Sequence, residues 1–140
     1  VVDDSRVRQR FLARHRKTSA FAVMNDFHIW RLTITAGHFG IGIEPVALVL
    51  DLAGAEALVA GEGEVLAILN RDRAPELSRL ATGLAGAAPG RWRATGLDPE
   101  GLDLALGDET VRLTFPEAVF QPGAVPVALA GLLAEAGGPT

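Results

Sequence analysis

Apolar positions along the chain follow two different periods. Asp4 and Ser5 are N-cap residue types, and Val7, Phe11 and Leu12 follow at i, i+4 and i+5, which predicts a helix ending near His15 to Lys17. From Phe21 the period falls to two. His28, Trp30, Leu32 and Ile34 alternate with Phe27, Ile29, Arg31, Thr33 and Thr35, which predicts a long strand. Ala36-Gly37 reads as a turn, after which Phe39, Ile41 and Ile43 alternate with Gly40 and Gly42 up to Pro45. Residues 20 to 44 are therefore expected to form an antiparallel hairpin with a glycine-bearing face.

Beyond Pro45 to Leu50 the organisation changes, and a boundary is placed there. Asp51 is expected to cap a short helix through Leu52, Ala55, Leu58 and Val59, broken at Gly61-Glu62-Gly63. A second helix carries Val65, Leu66 and Leu69. Pro75 opens a third with Leu77, Leu80, Ala81 and Leu84, followed by a loop over Gly83 to Gly90. Three alternating runs, from Trp92 to Leu97, Leu102 to Leu106 and Val111 to Phe115, are separated by Asp98-Pro99-Glu100-Gly101 and Gly107-Asp108. They predict a three-stranded antiparallel meander. A last helix is predicted over Val125 to Ala136, ended by Gly137-Gly138. The fold class is α+β.

Composition narrows the function. The 140 residues contain no cysteine, which excludes disulfide scaffolds, zinc ribbons and thiol catalysis. Charged residues interrupt every apolar run before it reaches membrane-spanning length, and the N-terminus lacks a signal-peptide core; a cytoplasmic protein is expected. Val1 in place of methionine suggests a processed, trimmed or partial chain. Positive charge is concentrated at the start: residues 1 to 17 hold six cations against Asp3 and Asp4, a local +4, which leaves −8 on the remainder. Without interleaved aromatic residues or a recognisable motif, this cluster reads as a solvated helix face rather than a nucleic-acid site. The common hydrolase, P-loop, zinc-protease and dinucleotide motifs are missing.

The run Arg10-Phe11-Leu12-Ala13-Arg14-His15, then Asp26-Phe27 and Trp30-Arg31-Leu32, resembles the second half of the split barrel in haem-utilisation proteins of the HugZ type. These belong to the pyridoxamine 5′-phosphate oxidase-like, FMN-binding split-barrel superfamily. The segment 51–58, Asn70, Asp72, the run 95–104 and Phe115-Pro116 resemble the C-terminal α+β domain usually fused to that barrel. The resemblance implies that residues 1–48 are the C-terminal half of a split-barrel domain and 49–140 the C-terminal domain. A bare half-barrel leaves unpaired edges, so a homodimer or a second chain completing the barrel is expected.

That resemblance implies haem as the cofactor, bound at the barrel's dimer interface, with oxygen-dependent ring opening and iron release as the activity. His38, beside the glycine strand, is the candidate iron ligand, and Arg31 and Arg14 are candidate partners for propionates. Gly40 and Gly42 let a flat ring approach the backbone, although close packing of another element is the commoner use of such glycines. His28, on the Trp30 face, is expected to be packed. His15 is expected at the helix C-terminus. Asn70, Asp72 and Arg73 suit a cap or ion-paired turn. Two histidines usual in the family are replaced by Ile68 and Arg73, and its glycine-rich strand end is reduced to Gly40 and Gly42. A non-catalytic binding module is therefore the second reading. An FMN-binding oxidoreductase is the third.

Overall fold

The core is built round Trp92, which is fully buried and donates its indole N–H to the Ala88 carbonyl at 2.9 Å. In a computed structural model, residues 4–33, 36–37, 46–47 and 53–137 are described. The described elements are α1 (Ser5–Arg14), a 3-10 turn (Arg16–Ala20), β1 (Ala36–Gly37), β2 (Val46–Ala47), α2 (Glu56–Asp72), α3 (Ala74–Gly83), β3 (Arg93–Asp98), β4 (Gly101–Leu106), β5 (Glu109–Thr114), a second 3-10 turn (Pro122–Ala124) and α4 (Val125–Ala136). Leucines at helical spacing give α2, α3 and α4 one apolar stripe each. Leu58, Leu66, Leu69, Leu77, Leu80, Leu129 and Leu132 enclose Trp92 with Leu97, Leu102, Leu104 and Leu113 of the sheet. The arrangement is α+β, with an open antiparallel sheet in the order β3-β4-β5.

The meander and α4 match the sequence expectation. Asp98 closes the first turn by accepting from the Glu100 and Gly101 N–H groups at 2.9 and 3.2 Å, the Asx geometry that Asp-Pro-x-Gly favours. Arg112 on β5 then spans Asp98 at 2.7 Å and Asp103 at 3.1 Å. Gly107 holds the second turn at φ +62°, in the left-handed region.

Gly61-Glu62-Gly63 does not break a helix: α2 runs unbroken through it. The glycines serve close approach. A Cβ on Gly61 would meet Pro122 at 3.0 Å, and one on Gly63 would meet the Gln9 side chain of α1 at 2.8 Å. The expected cap at Asp51 lies outside the described residues; the N-cap position is Ala55, which makes no side-chain cap.

Glu62 sits between these glycines, buried to 3% exposure, and accepts the Leu97 N–H of β3 at 3.0 Å. Eight residues on, Asn70 accepts the Ala94 N–H at 2.8 Å and donates to the Ala94 carbonyl at 2.9 Å. Eight helical residues rise roughly 12 Å. Three strand residues span roughly 10 Å, so the two side chains match the two sites. β3 is an edge strand, and α2 supplies from side chains what a neighbouring strand would have supplied from backbone. A bulge between Ala94 and Gly96 allows this, and the Thr95 hydroxyl donates to the Asp103 carbonyl at 3.3 Å.

Helix α1 has no fully buried residue. Asp4 caps it, accepting from the Arg6 and Val7 N–H groups. Its seat is largely polar: Arg10 and Arg6 reach the Glu62 carboxylate at 3.4 and 3.9 Å.

The expected strand over 21–35 does not form across residues 21–33. The chain first winds through turns, with Phe21, Met24 and Phe27 each donating to the carbonyl three residues back. It then runs from 27 to 33 with no ladder partner among the described residues. An alternating pattern specifies a strand only when another strand offers hydrogen bonds. Ala36-Gly37, expected as a turn, pairs antiparallel with Val46–Ala47 instead. The expected strand over Phe39 to Ile43 lies outside the described residues.

Two consequences can be measured. Glu62→Ala leaves the Leu97 N–H buried without an acceptor, and urea unfolding is expected to show a loss of about 2 kcal/mol or more. Glu62→Gln, which keeps an acceptor, is expected to lose less. Asp98 is drawn in two directions: partial burial raises its pKa, while hydrogen bonds from Arg112 and the turn amides outweigh this and lower it. A carboxyl with a depressed folded-state pKa adds stability above its unfolded value, about 4, and loses it as pH falls through the folded value. Asp98→Asn is therefore expected to flatten the stability profile below about pH 4.

Candidate anion-binding cavity

Where α1 ends, the chain turns across the face of β3 and β4 and borders an open cavity of about 930 Å³. Three stretches of chain line it with cations. Arg14 comes from the last turn of α1, where positive charge complements the helix dipole. His15, Arg16 and Lys17 follow at the 3-10 turn. Arg93 opens β3 and Arg91 lies two residues before it, flanking Trp92: the indole is directed into the core, and both neighbours line the cavity. Asn70 and Thr95 also reach this wall, but both are already hydrogen-bonded to backbone.

The charge is poorly balanced. Among the described residues, five permanent cations line the cavity against one carboxylate, Asp108. Asp108 is taken by Lys17 at 2.6 Å, whose ammonium holds the carboxyl below its usual range. Arg14 donates to the Thr110 hydroxyl at 3.2 Å. Arg16, Arg91 and Arg93 have no carboxylate partner among the described residues. Burial, then the nearby charges of Arg16 and Arg91, lowers the Arg93 pKa. A guanidinium keeps its proton regardless, so the strain falls on the charge itself.

The sequence-predicted residues separate. Arg14 lines the cavity. Arg31 is exposed on the 27–33 segment, and His38, Gly40 and Gly42 lie outside the described residues. His28, expected to be packed, is exposed, because the face it shares with Trp30 and Leu32 has nothing against it among the described residues. His15 occupies the helix C-cap as expected, and its ring lies 4.8 Å from that of Phe11. Asp72 and Arg73 form surface pairs with Arg71 and Glu76, whereas Asn70 clamps β3 rather than capping a turn. Arg91 and Arg93 were not singled out. The signal was Arg-Trp-Arg at a strand start, where one buried aromatic places two cations together on the opposite face.

Among the described residues no cluster of three or more His, Asp or Glu is arranged for a metal, and no helix is long and apolar enough to cross a membrane. The class defined by these features is an α+β unit with an open three-stranded sheet and a cationic cavity beside its edge strand. Neither a protein-family model nor a curated protein matches the chain. Among solved structures, a protein of unknown function from Agrobacterium tumefaciens str. C58, Atu2129, is similar at 37% identity and a TM-score of 0.73 over 89% of this chain. The chain spans 53% of that protein's length. A haem-binding protein from Mycobacterium smegmatis aligns at 25% identity with a TM-score of 0.46, over 54% of this chain and 33% of that one.

Asn70→Ala removes both bonds to Ala94 and is expected to cost roughly 1–3 kcal/mol in denaturant unfolding. The same substitution is expected to raise hydrogen exchange at Ala94.

Proposed function

We propose that this chain is part of a cytoplasmic haem-binding split-barrel protein, and that it binds the porphyrin rather than turning it over efficiently. The observation carrying this reading is the surface of residues 21–32. Phe21, Val23, Met24, Trp30 and Leu32 are all more than half exposed, and Arg31, also exposed, has no partner among the described residues. A porphyrin requires apolar area for its ring and positive charge for its propionates, and this segment carries the first and, at Arg31, one cation. This apolar surface supports the ring part of the reading, and Arg31 the propionate part. His38 is the proposed axial ligand, and a second copy or another chain completes the barrel over the same surface. The replacements at Ile68 and Arg73 favour binding over turnover, since both remove an imidazole usual in the resembled family.

Haemin titration tests this directly. A saturable Soret shift is expected in the wild-type protein, abolished by His38→Ala and weakened by Trp30→Ala. Absence of a Soret shift contradicts the reading, and flavin absorbance in the purified protein would transfer it to the FMN-binding branch.

A further inference from the structure

Positive charge at the end of α1 has an ordinary explanation, since cations complement a helix C-terminus. Arg14 fits that explanation. Arg91 and Arg93 do not: they arrive from the entry to β3, more than 70 residues away in sequence, and line the same cavity as the turn that carries Arg16. A chain with an excess of four negative charges and 17 acidic residues places, among the described residues, only Asp108 at this cavity, and Lys17 occupies it. Like charges held together by a fold repel one another, and a folded protein ordinarily relieves this with carboxylates. Here no such relief for Arg16, Arg91 and Arg93 is found among the described residues, and the space for a counter-ion is present.

We propose that the cavity binds a small molecule carrying two or more adjacent oxyanion groups, such as a diphosphate ester or a compact polycarboxylate. Guanidinium groups match this chemistry, because their forked N–H donors pair with phosphate and carboxylate oxygens two at a time. A concave wall favours a small ligand over a nucleic-acid backbone. The aromatic side chain between the two arginines, Trp92, is buried and offers no base-stacking surface. The site is separate from the exposed 27–33 segment, so it stands whether or not that segment holds a porphyrin. Lys17 and Asp108 are both largely exposed and pair with each other at 2.6 Å, which leaves the arginines to meet the ligand.

Calorimetric titration of the full chain with pyrophosphate, and separately with citrate, at about 50 mM salt decides the matter. Saturable binding is expected, weakened at least about tenfold by Arg93→Gln or Arg16→Gln and partly restored by Arg93→Lys. Arg79→Gln, on α3 outside the cavity, is expected to bind as the wild type does. Pyrophosphate binding without citrate binding identifies the ligand's oxyanions as phosphates; comparable binding of both identifies a general oxyanion site. Thermal unfolding without ligand guards against misfolding, since Arg93→Gln relieves repulsion and is expected to melt no lower than the wild type. No saturation by either probe up to about 10 mM overturns the proposal. Binding that ignores both Arg93 and Arg16 overturns it equally. A haemin titration sensitive to Arg93→Gln, with no binding of either small anion, would assign the cations to propionates and likewise overturn it.

Discussion

The structure depends on how one sheet edge is closed. β3 lies at the margin of a three-stranded sheet, and its outward backbone groups would be costly to leave unpaired beneath a helix. Glu62 and Asn70 meet them from α2, one at Leu97 and the other at Ala94. Because the partners are side chains of a helix, α2 lies along the edge, and Leu58, Leu66 and Leu69, which share the Glu62 face at i−4, i+4 and i+7, join the same core cluster as Trp92 and the sheet leucines. Edge closure and core packing thus select the same position for the same helix.

Placement of α1 follows from that arrangement. A helix with six cations in and around it and no buried residue has little hydrophobic reason to dock. Its anchor is the buried Glu62 carboxylate, already fixed by Leu97, and Gly63 removes the side chain that would hold the helices apart. Docked there, α1 delivers Arg14, His15, Arg16 and Lys17 opposite Arg91 and Arg93. The cavity is therefore a consequence of edge closure at one remove: shifting Glu62 would move one cationic wall relative to the other.

Legibility in the sequence followed the range of the interactions. The meander and α4 were readable because alternation, Asp-Pro-x-Gly and Gly-Asp turns, and a leucine stripe ending in glycine are all local signals. Gly61-Glu62-Gly63 misled for a physical reason: glycine marks both a break in a helix and a place where another element comes close, and only the partner's position separates the two. Residues 21–33 carry strand-like alternation, yet no ladder partner is available to them among the described residues. Asn70 looked like a turn residue because its true partner lies 24 residues away. Arg91 and Arg93 became conspicuous only once α1 was placed opposite them.

The account rests on α2 side chains acting as the missing strand, and amide hydrogen exchange of the wild-type chain measures this most directly. Leu97 and Ala94 are predicted to exchange only through global unfolding, at the same protection as the central residues of β4. Exchange of those two amides at the rate of an open sheet edge, with β4 still protected, would contradict it.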